Sequence, residues 1–188
     1  MNHIKLKNLI LCALFAAITA ILAQVNIPLP IIPISGQTLA VGLTATILGS
    51  RYGTASMLVY AGLGAIGLPV FAGMSGGLSV ILGPSGGYII GFIVTAFVTG
   101  FILERTKFNM PMAILANIVG MLVTLAIGTM QLKLVLDLSW SKALAIGVYP
   151  FLIVGILKAL IASFVGIRVR QRLTKFGLIT TGKQQTAA

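Results

Sequence analysis

An all-α membrane protein with six transmembrane helices is the fold class this sequence predicts, and three observations predict it. The 188 residues are 58% apolar and 8% charged, far from the composition of water-soluble domains. No charged residue occurs between Lys7 and Arg51, between Arg51 and Glu104, or between Lys107 and Lys133, and a soluble fold could not leave so much surface uncharged. The basic residues gather at the ends of the apolar runs, where membrane helices meet cytoplasmic loops. A single membrane domain over 1–175 with a cytoplasmic tail at 176–188 follows.

Apolar runs between charges and Gly/Pro breaks predict spans at about 9–27, 38–49, 54–68, 88–103, 112–132 and 143–169. The first, behind Lys5 and Lys7, imitates a signal peptide, but the spans that follow it favour a retained first helix. The second is short for a crossing, so it is expected to tilt little, begin inside the preceding loop, or lie where protein shields it. The third starts after Arg51 and runs into a glycine-rich stretch; the fourth leaves that stretch and stops at Glu104 and Arg105. The fifth runs from Met112 to Leu132, and the sixth ends among Arg168, Arg170 and Arg172. Trp140, between Asp137 and Lys142, reads as an anchor at the outer headgroups.

Lys5, Lys7, Arg51, Arg105, Lys107, the arginines after span six, Lys175 and Lys183 all fall on one side of this topology. By the excess of Lys and Arg in cytoplasmic loops, both termini are cytoplasmic. The outer loops are then 24–37, QVNIPLPIIPISGQ, and 71–87, FAGMSGGLSVILGPSGG, neither with a charge. The proline-rich first loop reads as a lid packed over the bundle; the alternative is a connector lying among headgroups.

Composition excludes several function classes. The formal charge of +11 is spread over helix ends rather than gathered into a basic patch with interleaved aromatics, so nucleic acid is not a partner. A single Cys12, a single terminal His3 and two acids cannot assemble a disulfide, a Cys/His metal site or the usual catalytic constellations. No catalytic and no metal-binding residue is assigned.

Candidate binding residues come from two anomalies. Ten glycines occur in 62–91, and the stretch has no charge and no phosphate-binding motif. In hydrocarbon such irregular backbone is tolerated only where it is buried in protein or lines a cavity. Lys158, the other anomaly, stands alone in the last span, ten residues before Arg168, about 15 Å along a helix. Its side chain leans toward the outer end, and a buried ammonium demands an acceptor. An anionic or carbonyl-rich ligand meets that demand; a structural tie to backbone carbonyls is the alternative. Gln37 and the 75–78 region join Lys158 as candidates by their position in the outer loops. Asn117, Thr124 and Gln131 are polar residues of the kind that more often bond a neighbouring helix. In span one, Ala13 with Ala17 and Ala16 with Ala20 form small-residue strips that serve either the bundle or a partner.

At these residues the chain resembles the BioY family, the biotin-binding S components of energy-coupling factor transporters. The likeness is carried by ISGQTLAVGL with Gln37, by LGSRYG, by LGAIGLPVFAGMSGGLSVILGPSGGYIIGF, and by PFLIVGILKALIA with Lys158. It runs from about Leu11 to Arg172. The resemblance implies a multi-pass protein of the bacterial cytoplasmic membrane with a vitamin pocket near the outer surface. Its substrate-binding set here is Lys158, Gln37, Ser75, Gly76, Gly77, Leu78, Tyr88 and Gly155. It further implies that Ala13 and Ala17 dock on a transmembrane coupling (T) subunit, and that two partner ATPases alone use ATP. No cofactor is implied; biotin is the transported ligand and membrane lipid the surroundings. Release inward follows toppling of the S component. Many members resemble Phe-Ile-Pro-Gly-Asp-x-x-Lys in the last helix, and Gly155 stands where that Asp would be; some carry Arg at the position of Ser75. A biotin precursor as ligand, a membrane enzyme acting on a lipid-linked substrate with Lys158 as its acid or base, and a solute channel are the competing readings.

Overall fold

A computed structural model describes residues 3–179. The side chains of His3 and Lys5, Lys183, and the 180–188 part of the tail lie outside the described residues. The chain runs α1 (His3–Gln24), a two-stranded antiparallel ribbon of β1 (Asn26–Ile27) and β2 (Ile34–Ser35), α2 (Gln37–Ala65), α3 (Leu78–Leu82), α4 (Gly86–Arg105), α5 (Met110–Val135), α6 (Trp140–Gly147) and α7 (Tyr149–Lys175).

The expected loop between spans two and three is absent, because the reversal takes place at one residue. Gly49 has φ 82° and ψ −172° inside α2, a conformation that only glycine adopts readily. The two halves, 37–48 and 50–65, fold back on each other, so that Gly53 lies against Ala45 with room for little more than hydrogen; a Cβ there would sit 3.3 Å from Ala45 Cα. Six membrane segments result: α1, the two halves of α2, α4, α5 and α7. The inward half, about 18 Å long, is among the most deeply buried parts of the molecule, with Ala40, Val41, Thr44, Ala45, Thr46 and Ile47 all inside. That is the shielded alternative of the sequence reading.

Both ends at the break are capped. The Glu104 carboxylate, at the end of α4, accepts the Ser50 N–H at 2.7 Å and the Ser50 hydroxyl at 2.5 Å, filling the orphan donors of a helix N-terminus with a negative charge. Arg170 of α7 donates to the Ile47 carbonyl and stacks on Phe108 at 3.5 Å, so a cation serves the C-terminus of the other half.

The region expected from the sequence as one span over 143–169 is instead two helices, α6 and α7. Pro150 has no N–H to continue a helix from α6, yet suits the first turn of a new one. The chain breaks at Val148, leaving α6 as a short outer helix with Trp140 exposed and Lys133 over its ring at 5.3 Å. Helix α3 lies inside the glycine-rich stretch 71–87, which the sequence predicts as loop. At the start of α5 the Asn109 side chain accepts the Met112 N–H at 3.1 Å, with Pro111 in the first turn. On α1, Ala16 is buried against the bundle, whereas Ala13 and Ala17 face outward.

Candidate functional site

A cavity of about 320 Å³ opens between α2, α4, α5 and α7, beneath the two outer loops. Its walls are mostly apolar: Ile32 and Pro33 of the connection between β1 and β2, Phe71, Val80, Phe92, Leu125 and Phe151. Among the lining residues there is no Asp or Glu, and Lys158 is the one cation.

Lys158 points as its helix direction requires. Its ammonium donates to the Ser35 carbonyl at 2.6 Å and to the Thr38 hydroxyl at 3.3 Å. It therefore ties α7 to the ribbon and the start of α2 while remaining part of the cavity wall. An ammonium carries three donors, so one N–H is left for a ligand.

Gln37 is buried, and its polar atoms are largely spent. Its amide donates to Tyr60 Oη at 2.6 Å and its carbonyl accepts the Ser35 hydroxyl at 2.6 Å. Tyr60 in turn donates to the Val70 carbonyl at 3.0 Å and meets Phe71 edge-on, ring centroids 5.5 Å apart. Gln37 thus lines the cavity chiefly as the post that holds both outer loops in place.

The glycine-rich loop is fastened by two glutamines that the sequence reading did not assign to it. Gln24, from α1, donates to the Phe71 carbonyl at 3.1 Å and accepts the Met74 N–H at 2.9 Å. Gln131, from α5, donates to the carbonyls of Ile81 and Gly83 at 2.7 and 2.9 Å. Uncharged polar side chains thus satisfy an irregular backbone, as burial at membrane depth demands. Gly64 admits the Phe71 ring where any Cβ would stand.

Five of the eight candidate residues come together at the cavity: Lys158, Gln37, Ser75, Tyr88 and Gly155. Ser75 Oγ donates to the Ala72 carbonyl at 2.9 Å. Tyr88 offers its ring, while its hydroxyl donates to the Gly147 carbonyl at 2.9 Å. Beside Gly155 the Met121 sulfur occupies the space a side chain would need. Gly76, Gly77 and Leu78 are not among the lining residues. Gly76 packs on the Leu68 carbonyl, Gly77 has φ 99° and donates its N–H to the Gly64 carbonyl at 2.7 Å, and Leu78 is 62% exposed. They shape the loop instead. Thr38 and Met121 line the cavity without any sequence signal, and Asn117, a polar residue expected to bond a neighbouring helix, lines it as well; a chain position carries no mark of which helix face meets a void.

A family model described as the BioY family matches residues 1–175. Among similar proteins, the chain is 41% identical over 174 residues to the biotin transporter BioY2 of Lactococcus lactis subsp. cremoris, covering 93% of this chain and 96% of that one. It is 38% identical to a probable biotin transporter BioY of Pyrococcus horikoshii, with 88% and 98% covered. The fold matches a crystal structure of the S-component for biotin from an ECF-type ABC transporter, with TM-score 0.84, 30% identity, and 91% and 94% of the two chains covered.

Proposed function

The chain belongs to the BioY family, and from that premise we propose that it is the biotin-capturing S subunit of an ECF-type importer. Biotin enters from outside, is enclosed beneath the ribbon and the glycine-rich loop, and leaves inward when a coupling module drives the bundle over. The observation that carries this reading is an uncharged, largely apolar cavity with one ammonium at its edge. Such a site suits a ligand with an apolar bicycle and chain and a few polar atoms. It offers no acid or base pair for chemistry on that ligand, in keeping with relatives that are transporters rather than enzymes.

The domain of 1–175 sits in the bacterial cytoplasmic membrane with both termini inside, and 176–188 is its cytoplasmic tail. Its partners are a transmembrane coupling subunit, docked on the outward alanines Ala13 and Ala17, and two ATPases. Lys158, Gln37, Ser75, Tyr88 and Gly155 surround the ligand, and Gly76, Gly77 and Leu78 form the cap. Isothermal titration of the purified protein with biotin and desthiobiotin tests the reading. Tight, stoichiometric binding without turnover is expected; absence of heat with biotin at micromolar protein refutes it.

A further inference from the structure

The inner end of the cavity holds a polar side chain with an unspent atom. Asn117, on α5, is only 5% exposed and lines the cavity. Its amide nitrogen donates to the Ala113 carbonyl and the Ser163 hydroxyl, each at 3.0 Å, and lies 3.0 Å from Thr46 Oγ1. Ser163 gives its own proton to the Ala159 carbonyl at 2.7 Å, so towards Asn117 it can only accept. A backbone carbonyl likewise only accepts. Both hydrogens of the Asn117 amide are therefore committed, which fixes the nitrogen and oxygen ends of the group.

The oxygen end is left over. Asn117 Oδ1 receives no hydrogen bond among the described residues, and since no fully buried side-chain oxygen there is unpaired, it reaches the open space of the cavity. Gly42 keeps it accessible: a Cβ at that position would stand 2.6 Å from Oδ1. The Thr95 and Thr124 hydroxyls nearby are spent on each other and on backbone. Thr95 gives its proton to the Gly120 carbonyl at 2.7 Å, leaving Thr124, 2.7 Å away, to donate to Thr95. The inner end of the cavity thus accepts, while the ammonium at the outer end donates. Ser163 lies five residues beyond Lys158 on α7, about 7.5 Å down the helix, so the two ends are separated by roughly the length of a small ring system.

We propose that Asn117 Oδ1 is the acceptor for an N–H of the ligand, and that in biotin this is one N–H of the ureido ring. The assignment rests on the biotin reading above. It gives Asn117 the role that no carboxylate among the lining residues can fill: an unpaired ring N–H in this enclosed space would cost binding, and a neutral amide oxygen meets it without burying a charge. The site then selects cyclic ureas or amides over ring systems without a donor.

Titration of the full-length purified protein with biotin, its two mono-N-methyl ureido analogues and biotinamide tests the assignment. In the unaltered protein, methylation of one ureido nitrogen is expected to weaken binding about tenfold or more. In Asn117→Leu, biotin itself is expected to weaken about tenfold and that methylation penalty to vanish, with the biotinamide-to-biotin ratio unchanged. Asn117→Ser, which removes Oδ1 while its short hydroxyl can donate to the Ala113 carbonyl one turn back, is expected to do the same and decides the matter if the leucine variant does not fold. A methylation penalty that persists in full in the variants, or none in the unaltered protein, overturns the role of Asn117 and leaves biotin capture standing. Failure of the unaltered protein to bind biotin overturns both.

Discussion

Replacing Lys158 by methionine keeps the length of the side chain and removes its charge and donors. The ammonium makes two internal bonds, to the Ser35 carbonyl at 2.6 Å and to the Thr38 hydroxyl at 3.3 Å, and has one N–H free for the ligand. A hydrogen bond from a charged group contributes roughly 1.5–3 kcal/mol, which converts to a loss of about ten- to 150-fold in affinity for biotin. The internal bonds add a second effect of the same sign, because Ser35 belongs to the ribbon that roofs the cavity. Loosening the roof speeds escape of the ligand, whereas losing the contact also weakens equilibrium binding. Isothermal titration gives the total and stopped-flow displacement gives the escape rate. A folded Lys158→Met protein that binds biotin within twofold of the original refutes the assignment of the ammonium to the ligand. It would leave Lys158 as a tie between α7 and the ribbon and nothing more.

Other perturbations separate the roof, the outer face of α1 and the break in α2. Gly64→Ala puts a methyl group where the Phe71 ring lies; expulsion of that buried ring from beside Tyr60 is expected to lower stability by about 1–3 kcal/mol and to abolish tight binding, read by thermal unfolding with and without biotin. Ala17→Trp enlarges an outward-facing position and is expected to leave biotin affinity unchanged while preventing co-purification of the coupling subunit; co-purification at the original yield sinks the docking proposal. Glu104→Gln removes the negative charge that caps the 50–65 half at Ser50 and is expected to cost about 0.5–2 kcal/mol in thermal stability, with no change in biotin affinity because the cavity is at the other end of the bundle.

The parts of the fold written in hydrophobicity are legible in the sequence, and the parts written in backbone geometry are not. Among the described residues, four stretches are apolar and long enough to cross a bilayer by themselves; each shows in the sequence as an apolar run, the last interrupted by Lys158. Gly49 was visible only as one glycine among many; that it reverses the chain without a loop depends on Glu104 and Arg170, which lie far from it in sequence. Pro150 was available as a helix-start signal, but the apolar residues on both sides concealed the break at Val148. In the site, Lys158 announced itself because an isolated cation in hydrocarbon is costly. Asn117 gave no such signal, since a neutral amide in a membrane helix most often bonds a neighbouring helix. Its nitrogen does so here, and only the three-dimensional arrangement separates that spent end from the oxygen facing the void.

The same physics explains how a helix too short to cross the membrane can form one wall of the cavity. The 37–48 half of α2 runs parallel to α7, and two cations of α7 hold its ends. Lys158 meets the Ser35 carbonyl just before its start, and Arg170 meets the Ile47 carbonyl near its finish. Ser35 to Ile47 and Lys158 to Arg170 are both twelve residues, so the two contacts keep one register along helices of equal rise. Between them the interface is made of small residues: Gly166 lies against Thr46, and Gly42 against Ala162. A short helix clamped at both ends and packed this closely has little freedom to slide. That fixes Thr38, Val41 and Gly42 in the cavity wall, opposite a roof whose irregular, glycine-rich backbone is held by side-chain hydrogen bonds from Gln24 and Gln131.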